Sequence, residues 1–405
     1  MRSLDRKRVA AALVAAGLAG HAFFLPVSIA GMQIGLGVAA AGLLLDLPRP
    51  LRTPLDLPVA AFVLVAIASD LWSPYGAPEL SQATLWRAAA GFFVVAHGIR
   101  LLPEGAPRRL VYFACAGLAL SSLVGLVQYR TGIDLVYMLH LRAQPAAVAA
   151  PGVPGRYGAM GFFTSRLTFG HCATVLLALL AGLMAQRTFP RRQSIFVAAA
   201  GLLGLAAVAV TFDRAAWLGL CAAAFTVALF AAPRARKAVL PVLLLLGAGA
   251  ALDPAVRLRF ASAFSSRANP DRMFIWARAL EIIRDHPLRG IGFANYQRAL
   301  GPYYDRVDPH FIMRTWAHNL ELSTLAETGP LGLLTMLYLW TSAAAALFRR
   351  RALGGLAALA AWLVIAQMHD VFYDTKVMYS LWFALGLSLS PDATVLQQPP
   401  PARAG

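Results

Sequence analysis

Residues 167–186 read LTFGHCATVLLALLAGLMAQ, a stretch of 20 amino acids without one charged side chain. About 20 mostly apolar residues suffice for one membrane-spanning α-helix. The whole chain of 405 residues shares this character: 59% of it is hydrophobic and only 14% charged, against about 25% charged in ordinary soluble proteins. A cytosolic enzyme, a disordered chain and a secreted disulfide scaffold are excluded, and the sequence predicts an all-α polytopic membrane protein.

Apolar segments of this kind predict about 12 transmembrane helices. They lie at about 9–25, 28–46, 56–73, 85–101, 109–127, 167–186, 194–211, 215–232, 238–252, 329–347, 354–370 and 377–391. The first follows Arg6, Lys7 and Arg8, so a cleaved signal peptide is an alternative there. The eleven later segments favour an uncleaved first helix.

Lysine and arginine in the short loops predict the orientation. With the amino terminus in the cytoplasm, 19 basic residues fall in inside segments and three (Arg87, Arg214 and Lys376) in short outside loops. Both termini are therefore predicted to be cytoplasmic. The chain then divides into helices 1–9 (1–252, with an outside loop at about 128–166), an outside loop (253–317), helices 10–12 (318–392) and a cytoplasmic tail (393–405).

The outside loop 253–317 is rich in arginine. It holds ten arginines, no lysine and six acidic residues. The use of arginine without lysine favours bidentate recognition of phosphate or carboxylate. The alternative is a general preference for arginine over lysine, because 33 of the 36 basic residues in the chain are arginine. The net charge of the chain is +17. The distribution of that charge follows membrane topology and predicts no nucleic-acid partner.

Two amphipathic helices are predicted within this loop. Asp271 can cap a helix that runs to about Asp285 and stops at Pro287, and a second stretch, 293–304, repeats the apolar pattern. Amphipathic helices between membrane spans are expected to lie in the interface with the apolar face toward lipid. The loop is thus predicted to form a lid over an outward-facing mouth.

The most informative motif is WAHN at 316–319, followed nine residues later by GPLG at 329–332. His318 is predicted to open a helix at the membrane boundary, with Glu321 one turn later. A helix amino terminus disfavours added positive charge and keeps a histidine neutral. Neutral imidazole can act as general base for a sugar hydroxyl. The alternative is an interfacial histidine with local hydrogen bonds.

Three arginines are candidates for binding an anion. Arg214 lies in a tight outside turn, where a charge at membrane depth costs about 2.5–3.5 kcal/mol and tends to mark function. It could instead snorkel to the interface or pair with Asp213. Arg272 starts the first loop helix and Arg166 lies at the foot of the sixth span. With His318 they predict one cavity that holds a lipid-linked pyrophosphate while a hydroxyl attacks the attached sugar.

The sequence motifs of several other enzyme classes are absent. The sequence contains no DxD pair, P-loop, GxSxG or HExxH pattern, so no metal and no cofactor are predicted. Asp370 and Asp374 flank the last outside turn together with His369. They could orient an arginine or be solvated, and the solvated interpretation is favoured.

Three stretches resemble the O-antigen ligases, within the wider O-antigen ligase/polymerase superfamily. They are His318-Asn319 with Gly329-x-x-Gly332, Arg214-Ala215-Ala216-Trp217, and Arg272 leading through Trp276-Ala277 to Pro287-Leu288-x-Gly290-x-Gly292. The 12-span layout, with its large loop between spans nine and ten, resembles the superfamily over most of the chain.

The resemblance implies a metal-independent inverting glycosyltransferase of GT-C-like architecture in lipopolysaccharide biosynthesis. Such enzymes transfer O-antigen polysaccharide from undecaprenyl pyrophosphate to a lipid A–core sugar, at the periplasmic face of the bacterial inner membrane. His318 matches the histidine that activates the acceptor, and Arg214 and Arg272 match arginines that hold the donor. Further residues carried over in supporting or donor-binding roles are Arg166, Asn319, Glu321, Asp370 and Asp374.

Three other functions stay open. O-antigen polymerases and protein O-oligosaccharyltransferases share the donor and differ in the acceptor. A lipid or polysaccharide transporter has a similar number of spans, but it predicts inverted repeats and broken helices in matching halves. Neither feature is found in the sequence.

Overall fold

The computed structural model describes residues 2–76, 83–141, 145–146, 148–150, 153–233, 244, 247–248, 252–261, 270–305, 307, 316–391 and 396. Within these ranges the regular elements are helical, and Ala149 and Tyr157 form an isolated β-bridge. Most of the predicted ninth span, 238–252, and of the tail, 393–405, lies outside the described residues.

The helices follow one another in the order expected from the apolar segments. They are α1 (Arg2–Phe24), α2 (Ile29–Leu45), α3 (Asp56–Leu71), α4 (Ala83–Gly98) with a 3₁₀ turn (Ile99–Leu101), α5 (Ala106–Thr131), α6 (Leu135–Met138), α7 (Arg166–Ala185), α8 (Arg191–Ala209), α9 (Arg214–Phe230), α10 (Pro254–Ala261), α11 (Pro270–Asp285), α12 (Tyr296–Asp305), α13 (Leu320–Arg349), α14 (Leu353–Ala366) and α15 (Thr375–Leu389).

Five of these helices are long and apolar enough to cross a membrane: Asp5–Phe24 within α1, and α5, α7, α8 and α13. Three shorter apolar helices are α2, α9 and α14. The all-α prediction is confirmed for the described residues, and these helices support a multi-pass membrane protein. The total of 12 spans stays a prediction.

Helix α7 lies at the centre of the bundle. Its residues 168–180 are buried on every side, which is why its sequence is apolar all round. It packs closely on α14, where a Cβ atom on Gly182 would lie 2.5 Å from the backbone of Gly354. Only glycine permits this approach, and it fixes the spacing between the end of α7 and the start of α14.

Helix α13 is broken at Gly329, whose φ of 68° and ψ of −171° lie outside the helical region, and Pro330 follows. The break exposes backbone groups that the preceding loop uses. The N–H of Gly292 donates to the carbonyl of Glu327 at 2.8 Å, and a Cβ on Gly329 would lie 2.3 Å from the carbonyl oxygen of Leu288. The loop 286–295 is therefore docked against this point of the helix.

The two loop helices form where the sequence predicts them, but their apolar faces pack against other helices. Ile275 and Ile282 of α11 are buried against Leu300 and Tyr304 of α12 and Ala326 of α13. The expectation that these apolar faces turn toward lipid is wrong for these residues. Two amphipathic helices can remove the same apolar surface from water by packing on each other and on the first turns of a third.

Candidate functional site

His318 lies just before α13 and not inside it. Asn319 is the N-cap, and its Oδ1 accepts the N–H of Leu322 at 2.9 Å. The helix therefore begins at Leu320, two residues later than a helix opened by His318. The φ of His318 is 52°, in the left-handed region that residues other than glycine seldom adopt. Such a conformation persists only where the surroundings hold it.

Asp370 supplies that restraint. Its Oδ2 accepts the backbone N–H of His318 at 2.7 Å and lies 3.1 Å from the ring Nδ1. Its Oδ1 accepts from Ser323 Oγ at 2.8 Å. The Asp370 side chain is 6% exposed, so the solvated interpretation is wrong for this residue, because the turn after α14 folds back onto the start of α13. The His318 side chain stays 22% exposed, which leaves part of the ring accessible.

Asn319 and Glu321 take part in a second set of contacts between the start of α13 and the end of α14. The Nδ2 of Asn319 donates to Gln367 Oε1 at 3.2 Å, and Gln367 Nε2 donates to Glu321 Oε1 at 2.9 Å. Gln367 thus links both predicted supporting residues and fixes the end of α14 against the start of α13.

Asp213 forms the centre of a neighbouring cluster. It caps α9 by accepting the N–H of Ala215 at 3.0 Å. His171 Nε2 lies 2.7 Å from its Oδ2, and His369 Nε2 lies 3.7 Å from its Oδ1. The rings of His171 and His369 are 4.8 Å apart, and those of His369 and His318 are 5.8 Å apart. Three histidines from three elements therefore form one row between two aspartates.

The charge states in this row are set by burial and by the neighbouring groups. Burial alone would raise the pKa of Asp213, but the adjacent His171, by charge and by hydrogen bond, holds it well below its usual range. Burial, reinforced by His171, lowers the pKa of His369 to about 3. At neutral pH Asp213 is ionised and His369 is neutral.

The predicted arginines meet beside this row. Arg214 directly follows Asp213, and Arg166 Nη1 donates to the carbonyl of Thr211 at 2.6 Å. A further arginine, Arg259 of α10, donates from Nε to the carbonyl of Phe212 at 3.0 Å. Guanidinium groups from the start of α7 and from α10 thus contact the short turn 211–213, which Arg214 follows directly.

The positive charges of these groups influence one another's pKa. Burial, together with the charges of Arg214 and Arg166 and the weaker effect of Arg272, lowers the pKa of Arg259. Burial and Arg214 likewise lower the pKa of Arg272. Partly buried charges of the same sign repel one another, and a bound polyanion relieves this repulsion. The charge of the arrangement is complementary to a polyanion.

Asp374 has a structural contact away from His318. It caps α15, accepting the N–H of Lys376 at 3.2 Å, and its Oδ2 accepts from Thr168 Oγ1 at 2.6 Å. It therefore joins α15 to the start of α7, two residues from Arg166. The structure gives it no contact with the carboxylate that holds His318.

The loop closes one side of the site. Trp276 of α11 donates from Nε1 to the carbonyl of Ala317 at 3.0 Å. Trp316 stacks on Tyr373, with ring centroids 4.0 Å apart and planes at 12°. Both contacts involve the two residues directly before His318, so the position of the loop and the position of this histidine are coupled.

His171, Asp213 and His369 are also residue types that bind metal ions, and their ligand atoms lie within 4.8 Å of one another. The 2.7 Å between His171 Nε2 and Asp213 Oδ2 is a hydrogen-bond distance. Two ligands of a tetrahedral zinc ion, each about 2.0–2.1 Å from it, would lie about 3.3 Å apart. The His171–Asp213 distance is that of a close ion pair and is shorter than the ligand separation of such a zinc ion.

Sequence reasoning missed His171 and Arg259 and treated Asp213 and His369 only as neighbours of other candidates. His171 was detectable as the one imidazole in the charge-free stretch 167–186. Arg259 was not, because it is one of ten arginines in the same loop.

Helices of membrane-spanning length with a polar site at one end define a multi-pass membrane protein with a candidate anion-binding and base site. The family model described as O-antigen ligase matches residues 199–337, a range that contains Arg214, Arg272, His318 and Gly329. The match supports membership of the O-antigen ligase/polymerase superfamily. No curated protein matches it.

Proposed function

We propose that the protein is a metal-independent inverting glycosyltransferase that transfers O-antigen polysaccharide from undecaprenyl pyrophosphate to a sugar of lipid A–core. The single observation that carries this proposal is the pairing of His318 with Asp370 beside a group of converging arginines. The family match supports a function of the ligase or polymerase type. The site is assigned to the periplasmic face of the inner membrane.

His318 is assigned as the general base. A carboxylate within hydrogen-bonding reach of Nδ1 favours the tautomer that carries its proton there, which leaves Nε2 as the acceptor. Asp370 also stabilises the imidazolium that forms after proton transfer. The partly exposed ring can then contact an acceptor hydroxyl from the open side.

Arg214, Arg272, Arg166 and Arg259 are assigned to the donor pyrophosphate. Arginine forms bidentate hydrogen bonds to phosphate oxygens. As the glycosidic bond breaks, negative charge grows on the leaving pyrophosphate, and fixed guanidinium groups stabilise it. Pyrophosphate is a weakly basic leaving group, so the reaction needs no general acid.

The reaction is a single displacement. The acceptor oxygen bonds to the anomeric carbon while the bond from that carbon to the pyrophosphate oxygen breaks, and the electron pair leaves with the pyrophosphate. The hydroxyl proton passes to Nε2 of His318. Attack on the face opposite the leaving group inverts the anomeric centre.

The test is transfer by the purified protein in detergent with EDTA present. The substrates are undecaprenyl-pyrophosphate-linked glycan and lipid A–core. His318→Asn removes the base but tolerates the left-handed backbone. His140→Asn is the matched control, because His140 is exposed and has a φ of 56°.

Glycosylated lipid A–core from wild type and His140→Asn, but not from His318→Asn, supports the proposal. Longer glycans on the carrier, without transfer to lipid A–core, would identify a polymerase. No product of either kind from active substrates would contradict transfer and favour the transporter alternative.

A further inference from the structure

A second basic feature lies at the opposite end of the helices that carry the site. Helix α7 starts at Arg166 beside the site and has 20 residues, a length of about 30 Å at 1.5 Å per residue. Helices α9 and α13 likewise run from the site to this end, and α14 runs back from it. Their ends line a cavity of about 1060 Å³, so it lies at the opposite end of α7 from Arg166.

The cavity combines cationic and apolar walls. Arg187, Arg349 and Arg351 line it, and all three are exposed. Beside them Phe230 and Phe348 meet edge to face at 5.6 Å, and both stay more than half exposed. None of the described residues that line the cavity is acidic.

Two of these arginines occupy positions that usually belong to glycine. Arg187 follows the end of α7 and Arg351 the end of α13, with φ values of 56° and 54°. The hydrogen bonds of both ends match the Schellman motif, in which glycine is preferred at this position. Arginine is thus placed at the rim of one cavity twice, in a conformation that costs backbone energy.

We propose that this cavity binds one anionic phospholipid of the surrounding bilayer. The three guanidinium groups would hold its phosphate, and the two phenylalanines would contact its acyl chains. Charge complementarity favours an anionic headgroup. The apolar wall at the end of membrane-length helices favours a lipid over a soluble anion, since basic pockets between helix ends are typical headgroup sites.

The experiment compares lipid retention by native mass spectrometry after reconstitution with phosphatidylglycerol or phosphatidylcholine. One variant carries Arg187→Gln, Arg349→Gln and Arg351→Gln. The control carries Arg109→Gln, Arg191→Gln and Arg192→Gln, which removes the same charge from exposed positions at the starts of α5 and α8. An arginine near a headgroup contributes about fivefold in affinity, so the first variant should bind phosphatidylglycerol about 100-fold more weakly and the control should bind it normally.

Equal retention of phosphatidylglycerol by the two triple variants would overturn the proposal, as would a wild type without preference for phosphatidylglycerol. If the cavity variant does not fold, Arg349→Gln alone replaces it, because Arg349 keeps ordinary helical geometry. That variant should bind about fivefold more weakly, and unchanged binding would overturn the proposal. The readout needs no glycosyl transfer, so it is independent of the proposed function.

Discussion

Nδ1 of His318 lies 3.1 Å from Oδ2 of Asp370, and the same oxygen accepts the backbone N–H of His318 at 2.7 Å. One carboxylate oxygen thus restrains both the left-handed backbone and the ring of this histidine. The other oxygen is held by Ser323. The orientation of His318 therefore depends on the turn after α14, about 50 residues along the chain, and not only on its own helix.

Asp370→Asn should reduce turnover by at least about 100-fold, within the range that a general base contributes. The amide has nearly the same shape but no charge, so it stabilises neither the productive tautomer nor the imidazolium. The donor KM should change little, because the arginines are untouched. Steady-state kinetics that separate kcat from KM check this.

The control for this substitution is Asp134→Asn. Asp134 also caps a helix from a buried position, accepting the N–H of Tyr137 at 3.2 Å, but it lies in another loop. Its variant should keep normal turnover. Near-normal turnover in Asp370→Asn would contradict the assignment of His318 as a base oriented by Asp370.

Arg259→Gln should weaken donor binding by about 10- to 100-fold, the value of one charge-assisted hydrogen bond. Arg257→Gln is the matched control, because Arg257 lies on the same helix and is exposed. Binding of undecaprenyl pyrophosphate, measured without acceptor, separates the two. If both variants bind alike, Arg259 only anchors α10 to the turn 211–213.

The sequence predicted the elements better than the contacts between them. Apolar runs located the helices, since they are a local property, but Asp271 is not the predicted cap because α11 already begins at Pro270. The roles of His171 and Asp370 depend on which segments meet, and no local pattern records that α14 ends against the start of α13. The direction of the loop helices was mispredicted for the same reason: Ile275 looks equally suited to lipid and to a neighbouring helix.

Asp213→Ala should destabilise the protein more than Asp213→Asn. Alanine loses the cap of α9, about 1 kcal/mol, and leaves the buried His171 without its partner, about 1–3 kcal/mol more. Asparagine caps as well as aspartate and keeps an oxygen near His171. Ser28→Ala removes only the cap of α2, so it should cost about 1 kcal/mol. Thermal unfolding in detergent ranks the three, and equal losses for Asp213→Ala and Ser28→Ala would refute a role of Asp213 in holding His171.

Trp276→Phe tests whether the loop positions His318. The substitution keeps the aromatic ring but removes the N–H that donates to the carbonyl of Ala317, a fully buried residue next to His318. An unpaired buried carbonyl costs about 1–3 kcal/mol, which the segment 316–318 can relieve by shifting. We expect kcat to fall on the order of tenfold, with donor KM nearly constant. Trp72→Phe removes a comparable bond, from Trp72 Nε1 to the carbonyl of Arg289 at an exposed position, and should leave kcat unchanged. An equal fall in kcat for both variants would mean that the loop stabilises the fold without positioning His318.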